Sequence, residues 1–569
     1  MTARNRAQIE SNRQGRIARG AVLVILLVSF YGTALFGGAS TVSTEIPQRI
    51  SAKLAAEVEF LKHHPHYDYA IPVIVNVSRE SFGALTRPGV KSSGNLVKGM
   101  FGKRSFAARL HATEIERLLE SELVEYVTVD AVIRAANTSN GMDGSTLALD
   151  NALSGDYRKM LGADQVGVTG KGVTVALFDS GISEHSSMHL RSRVKYSVDF
   201  TGGVPVILKR GDGTDPYGHG THVAGIIGAG GGSFQGIAPE VEFLDVRVVG
   251  PDGRGYTSNL MAAIEWVIQN KNRYGVQIAN FSVGHPPVEG YQSDPLCASV
   301  RQMVEAGIVA VVSAGNYGKS AEHERLVGGI GSPGIEPTVI TVYPVNTQGT
   351  VSHSDDIATS YGSRGPTVDG IFKPDLSAPG NRIISLMAEN GELARTNPDL
   401  VHGSEFLELS GASMATGFVS GTVALMLDAN SKLDPKTVKL FLLASAIKLH
   451  KPAILEQGNG LVNAKTAVEL AASFYENKGE LKTPVSASWT LDSEEVWAGG
   501  AFAFGNQIIY TGLVDPDANL IWGNSVFWTD GLRSENSETW ADSVFWTDSV
   551  FWTDSVFWTD SVFWTDSVF

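Results

Sequence analysis

Cysteine is almost missing from this chain: Cys297 is the single one in 569 residues. One thiol closes no intrachain disulfide and builds no CxxC metal or redox site, so stability has to come from packing. Basic charge is scarce as well, with 45 Lys and Arg against 60 Asp and Glu and a formal net charge of -15. Outside the N-terminus there is no basic stripe, which excludes a nucleic-acid binder that must match phosphates with clustered cations. Tryptophan is absent from nearly the whole body, since nine of the ten lie after residue 488. No loop has EF-hand spacing, and Asp212 and Asp215, the nearest to calcium-ligand candidates, read as turn residues. What remains is 43% hydrophobic and 18% charged, enough apolar content for a large core and for more than one domain.

The two ends carry signals of their own. Arg4, Arg6, Arg13, Arg16 and Arg19 precede the apolar run AVLVILLVSFYGTALF, Ala21 to Phe36. This reads as an export signal over residues 1–39, with its positive flank inside and the rest delivered outside. The run is short for a spanning helix and long for a signal-peptide core, so cleavage near Gly37-Gly38-Ala39 and retention as an anchor both stay open. At the other end, SVFWTD occurs at Ser525 to Asp530 and then four times in succession from Ser543 to Asp566. An even period keeps Val, Trp and Asp on one face of an extended chain and Ser, Phe and Thr on the other. A β-rich stack and a multiplied low-complexity segment without a defined fold are both open readings of this extension, residues 479–569.

Between the ends, YAIPVIVNVS, SFAARL and VEYVTVD read as strands of a small α+β unit from about Tyr69 to Asp130. The helix among them is expected to open with a capping box from Thr113 to Glu116, to present Ile115, Leu118 and Leu119 on one face, and to end near Leu123. RAANTSNGMDGST, Arg134 to Thr146, reads as an exposed, cleavable linker. Beyond it, VTVALF, VEFLDVRVV, VQIANFSV, GIVAVVSA and TVITVYPV alternate with helical patterns. Leu260, Ile264 and Val267 fall at helical spacing behind the cap candidates Thr257 and Ser258. The alternation predicts an α/β domain, an open and mostly parallel sheet with helices on both faces, continuing to about Tyr475.

The stretch DPYGHGTHVAG sets His219 and His222 three residues apart. A zinc-protease pair needs His at i and i+4 with a Glu between, and here Gly220 and Thr221 intervene. A catalytic base needs instead a carboxylate to orient it and a nucleophile to serve. Asp179 closes the apolar run VTVALFD, where ligands bind at the carboxyl ends of parallel strands. Ser413 stands where small residues lead into a long apolar helix, and Asn316 stands two residues past the end of GIVAVVSA. Asp179 and Ser413 each have an ordinary reading alone, as a turn residue and a cap. Together they supply a nucleophile, a base, its orienter and an oxyanion donor. The order Asp, His, Ser and the local string GASMA exclude an α/β-hydrolase, which shows GxSxG with acid and histidine after the serine.

The blocks ALFDSGIS, DPYGHGTHVAGIIG, IANFSVGHP, VVSAGN, SRGP, KPDLSAPG and SGASMATGFVSG, in this order from Val173 to about Val423, resemble those of the subtilases, the subtilisin-like serine peptidases. The resemblance implies an exported serine endopeptidase with the triad Asp179, His219 and Ser413 and with Asn316 in the oxyanion hole. It also implies substrate contacts at Ser282, Val283, Gly284, Ser313 and Gly315, and a structural role for His222. Residues 40–145 would be the inhibitory prodomain with its cleavable linker, and 146–478 the catalytic domain of an autoprocessed zymogen. Polypeptides and the chain's own prodomain are the expected partners, with membrane contact only if the N-terminal segment is retained. The chemistry requires no cofactor, while a structural calcium ion at unassigned positions is a family expectation. A catalytically weak surface or adhesion protein on the same fold is the alternative. The chain departs from the family at Ala412, where Thr is usual, at Gly417, usually Pro, and at Phe418, usually His or a small residue. His285 takes a place generally held by glycine. Gly417 is expected to loosen the turn carrying Ser413, and His285 to narrow the pocket or make it pH-sensitive.

Overall fold

The computed structural model describes residues 49–77, 98–101, 105–135, 152, 156–185, 190–208, 213–230, 234–320 and 324–477, together with short strands farther on. The first helix, α1 (Ala52–His63), is capped by Ser51, whose Oγ accepts the Leu54 N–H at 3.4 Å. Strands β1 (Ile71–Val77), β2 (Lys98–Phe101), β3 (Ser105–Leu110) and β4 (Val124–Val129) form an antiparallel sheet in the order β2-β3-β1-β4. Helix α2 (Ala112–Leu119) lies between β3 and β4. Alternation along β1 sorts its side chains by face: Ile71, Val73 and Val75 join Leu54, Val58 and Ile115 in the unit's own core. Ile74 and Ala107 point the other way and share a cluster with Leu260 and Met261 of the body.

The capping box of α2 is not at Thr113 and Glu116. His111 is the N-cap, and its N–H donates to Glu114 Oε2 at 2.9 Å. A histidine cap lacks the usual sequence signature, which drew the reading two residues too far along. The helix accordingly stops at Leu119, and the backbone turns into β4.

Strand β5 (Val132–Ala135) leaves this unit and joins the body. Arg134 and Ala135, read from sequence as the start of an exposed linker, are therefore paired strand residues, whereas residues 136–146 lie outside the described residues. Ile133 and Ala135 are buried and Val132 and Arg134 exposed, an alternation too short to register as a strand in the sequence.

The body is built on β6 (Thr174–Asp179), β7 (Val194–Asp199), β8 (Val206–Leu208), β9 (Glu242–Arg247), β10 (Arg254–Tyr256), β11 (Val276–Phe281), β12 (Val283–Gly284), β13 (Val309–Ser313), β14 (Ile340–Asn346), β15 (Ile357–Ala358) and β16 (Leu376–Pro379). The main sheet runs β15-β14-β13-β11-β6-β9-β7-β8, with β16 also beside β14. Its interior pairs are parallel, and the outer strands β8 and β15 are antiparallel. A second small sheet contains β17 (Ile383–Leu386), β18 (Val401–His402) and β19 (Phe406–Leu409).

The helices that matter here are α3 (His219–Gly228), α4 (Thr257–Tyr274), α5 (Pro295–Glu305), α6 (Ala412–Ala429), α7 (Pro435–Ser445) and α8 (Ala464–Ser473). They cover both faces. Val175, Leu177 and Ile278 pack with residues of α3 and α6, and Ala176, Phe178 and Phe281 pack with residues of α4 and α5. The fold is the open, mostly parallel α/β sheet expected from the alternating runs. By length and composition α6 could cross a membrane, yet it is 89% buried as the central helix of one layer.

The first turn of α4 is capped from outside. Thr257 and Ser258 are inside the helix, and Asp130 accepts both the Ser258 N–H at 2.8 Å and the Ser258 hydroxyl at 2.7 Å. Beyond the body, the short strands Tyr475–Asn477, Glu480–Lys482, Val496–Ala498, Ala501–Phe504, Gln507–Tyr510, Ser525–Val526 and Trp546–Thr547 are described. The remainder of the SVFWTD repeats and the candidate signal over residues 1–39 fall outside the described residues.

Candidate active site

Asp179 ends β6 at the carboxyl edge of the parallel sheet, and His219 opens α3. Both side chains are fully buried, and His219 Nδ1–H donates to Asp179 Oδ1 at 2.7 Å. That bond fixes the tautomer, so Nε2 carries the lone pair; it is buried and without a hydrogen-bond partner. The same Asp179 oxygen accepts the Ser180 N–H at 2.7 Å.

The start of α3 is held by Asp215. Its Oδ1 accepts the Gly218 N–H and the Ser180 hydroxyl, each at 2.7 Å, and its Oδ2 accepts the Thr221 N–H at 2.7 Å. Burial raises this carboxyl's pKa, against the pull of those donors. Asp215 is therefore a helix-start anchor, and Asp212 lies outside the described residues. Ser180 completes the link by accepting the Gly220 N–H at 2.9 Å. A Cβ at Gly220 would lie 2.2 Å from the Gly181 carbonyl oxygen, so only glycine lets α3 pass this close to the end of β6.

Ser413 is the second residue of α6, and its hydroxyl donates to the Ser282 carbonyl at 3.0 Å. One residue earlier, the Ala412 N–H donates to Asn316 Oδ1 at 3.0 Å. That fixes the amide and leaves Asn316 Nδ2 buried without a hydrogen-bond partner. Two unpaired polar nitrogen atoms, one an acceptor and one a donor, are thus held on side chains anchored beside the two helix starts, and such buried atoms in proteins generally have partners.

Gly417 lies inside α6, not in a turn, and a Cβ there would meet Ile226 Cγ2 of α3 at 3.1 Å. Its small size serves close helix packing, so the loosened turn expected from the missing proline does not arise. Phe418 turns into the core, its ring 5.4 Å from that of Tyr157.

His222, one turn along α3, does other work. Its Nε2–H donates to the carbonyls of Ile383 at 3.1 Å and Leu407 at 2.9 Å, tying α3 to β17 and β19. Burial, with His219 nearby, lowers its pKa to about 3, so it stays neutral.

Val283 and Gly284 form β12, which pairs antiparallel with β5: Val283 opposite Ala135 and Gly284 opposite Arg134. On its other side β5 pairs with β10, Ile133 opposite Gly255. A strand from the N-terminal unit is thereby inserted between two body strands beside Ser282. Ser313 ends β13, and the Gly315 carbonyl accepts the Ser363 N–H at 2.9 Å. His285 is buried, its backbone is bonded both ways to Ser332, and its ring Nδ1–H donates to the Pro286 carbonyl at 2.7 Å.

Sequence reasoning missed several supporting residues. Ser180 and Asn280 lie within quoted motifs but carry no chemistry until their partners are known. Glu289, in the loop after β12, accepts the Tyr126 hydroxyl and the Thr128 hydroxyl of β4, each at 2.9 Å. Burial, with Asp294 close by, pushes this carboxyl up to about 8. Among the described residues no group of three or more His, Cys, Asp or Glu is suited to a metal, so no position is assigned to the calcium ion expected from the resemblance.

A family model described as the subtilase family matches residues 170–469. The chain is 35% identical over 329 residues to serine protease AprX of Bacillus subtilis (strain 168), covering 56% of this chain and 71% of that protein. It is 31% identical over 303 residues to Subtilisin BL of Lederbergia lenta, covering 53% of this chain and 92% of the relative. With the alkaline serine exoprotease A of Vibrio alginolyticus it shares 29% identity, over 60% of this chain and 55% of the relative. Among solved structures, fervidolysin from Fervidobacterium pennivorans, a keratinolytic enzyme related to subtilisin, aligns with a TM-score of 0.54 at 20% identity, covering 73% of this chain and 62% of that one. At that identity the likeness concerns the fold alone.

Proposed function

The chain belongs to the subtilase family and is a serine endopeptidase, and from that premise we propose that Asp179, His219 and Ser413 are its triad, made as an exported, self-processing precursor. Ser413 Oγ attacks the scissile carbonyl carbon while His219 Nε2 takes its proton. The proton then goes to the leaving amine, and water, deprotonated by His219, attacks the acyl-enzyme, releasing the acid while the proton returns to Ser413 Oγ. Asp179 holds the ring and stabilises the imidazolium. Asn316 Nδ2 and the Ser413 N–H receive the oxyanion, a kind of donation worth about 10² to 10³ in rate per donor in a subtilisin.

The observation that carries this reading is the 2.7 Å bond from His219 Nδ1 to Asp179, which leaves a buried Nε2 without a hydrogen-bond partner. Substrates would bind by adding a strand between β10 and β12, at Ser282, Val283 and Gly284, with Ser313 and Gly315 lining the same cleft. Support comes from β5, which occupies that position in the precursor. Residues 40–145 accordingly act as an intramolecular inhibitor, and cleavage falls in the segment 136–146. The arginine-flanked run at 21–36 supports export, as does the exoprotease name of the Vibrio relative. The adhesion-protein reading is not favoured, because the matched relatives are proteases.

The test is a fluorophosphonate that labels active serine hydrolases. Wild type should be labelled and should appear at a reduced mass, and Ser413→Ala should stay unlabelled at full precursor size. Wild type that is neither labelled nor shortened would end the proposal.

A further inference from the structure

The polar group least expected on packing grounds is Asn280. It sits in β11, an interior parallel strand, with no exposed surface, where Val, Ile or Leu is the ordinary occupant. Burying an amide costs free energy unless both of its ends are bonded. Here they are: Nδ2 donates to Ser282 Oγ at 2.9 Å, and Oδ1 accepts the Ser420 hydroxyl at 2.8 Å.

Those two partners lead to the nucleophile. Ser282 Oγ donates to the Ser413 carbonyl at 3.2 Å, and the Ser413 hydroxyl donates back to the Ser282 carbonyl at 3.0 Å. Ser413 and Ser420 stand seven residues apart on α6, two turns along one helix face. Asn280, Ser282, Ser413 and Ser420 are all without exposed surface. The network therefore fastens the first two turns of α6 to the end of β11, and the next residues after Ser282 are β12, the strand that pairs with a peptide backbone.

We propose that Asn280, acting with Ser420 through Ser282, is a positioning residue that holds Ser413 in register with the strand that binds substrate. This rests on Ser413 being the nucleophile. Its consequence is that the scissile carbonyl, placed by β12, and the attacking oxygen, placed by α6, share one rigid frame. A misplacement of about 1 Å at such a frame can cost on the order of a hundredfold in rate. Neither Asn280 nor Ser420 touches the substrate, so binding of the peptide is left alone.

The experiment compares Ser420→Ala, Ser420→Thr and Asn280→Leu with wild type in the full chain, with active sites counted by fluorophosphonate titration. Expected for Ser420→Ala is a fall in kcat of roughly tenfold with KM within about twofold, matched by slower fluorophosphonate labelling. Ser420→Thr, which keeps the hydroxyl, should recover most of the loss. Asn280→Leu keeps the volume and removes both bonds, and should lose at least as much as Ser420→Ala. Should Asn280→Leu fail to fold, the Ser420 pair decides. Unchanged kcat per titrated site in Ser420→Ala, or a loss confined to KM or to thermal stability, would overturn the proposal. Absence of labelling and hydrolysis in wild type would instead overturn the triad reading on which it rests.

Discussion

Deep in the body, Asp215 is surrounded by donors that all belong to the body: Ser180, Gly218 and Thr221. At the seam with the N-terminal unit, Glu289 depends on two hydroxyls from β4, Tyr126 and Thr128, and Asp130 of the N-terminal unit in turn caps α4 of the body. The two regions treat buried acids differently. Asp215 is anchored by groups of the body alone, which stay in place whether or not the N-terminal unit is docked. Across the seam each side lends an acid or a hydroxyl to the other, so the match exists only while the parts are docked. A preorganised centre gains from the first arrangement; a segment that is to leave, as proposed for the N-terminal unit, gains from the second.

If that contrast is right, damage in the body should outweigh damage at the seam. Asp179→Asn removes the anion that orients His219 and should lower kcat by roughly 10⁴, the scale known for the corresponding change in another triad protease. Steady-state hydrolysis of a peptide anilide at saturating substrate checks it. A loss of under tenfold would mean that His219 is held by something other than Asp179.

A smaller effect is expected at Asp130. In a precursor kept whole by Ser413→Ala, Asp130→Ala uncaps α4 and should cost about 1–2 kcal/mol of stability, measured by denaturant unfolding. Amides of the first turn of α4 should exchange faster with solvent. An unchanged midpoint and unchanged exchange would show that the cap carries no weight.

Glu289 sharpens the comparison through pH. Burial, with Asp294 close by and against the pull of the Tyr126 and Thr128 hydroxyls, holds the Glu289 carboxyl up at about 8 in the docked form. Separation is expected to expose it to water and return it toward the ordinary carboxylate range, so that the docked form binds a proton the separated form lets go. Docking is therefore strongest below the ordinary carboxylate range and weakens as pH rises toward about 8, by up to about tenfold per unit. The release rate of the cleaved segment from the processed enzyme should rise over this window, and Glu289→Gln should flatten the rise. A Glu289→Gln profile parallel to wild type would assign the pH dependence elsewhere.

The smallest effect is reserved for the extension. Ending the chain after Lys478 should change hydrolysis of a small peptide by less than about twofold, since the groups assigned to catalysis and positioning all lie earlier. Loss of soluble, processed protein on this truncation would make the extension part of the folding unit.

The candidate site was legible in the sequence where chemistry coincides with an element's end. Asp179 closes an apolar run and Ser413 opens one, and the side chains found anchored at these ends, with His219 and Asn316, are those named from the motifs. The parallel sheet was legible for the same reason, because buried strands read as uninterrupted apolar runs. Groups that act through distant partners were not legible. Asn280 is 140 residues from Ser420, and no local pattern links them. The helix α1 escaped notice because AKLAAEVEFLKH buries only Leu54, Val58 and Leu61, a thin apolar stripe. Strand β5 hid in a polar stretch because its two inward residues make sense only against β10 and β12.

One small absence lies between the helices that begin at His219 and just before Ser413. At Gly417 a hydrogen stands where almost any other residue would carry a carbon, against Ile226 of the neighbouring helix. The helix bearing the alcohol and the helix bearing the imidazole can thus lie nearly in touch. A methyl group added there would stand 3.1 Å from Ile226 Cγ2, and that side chain would have to give by a few tenths of an ångström to keep the two helices at this spacing. The spacing of the two helices that carry the proposed nucleophile and base is thus fitted to that one small residue.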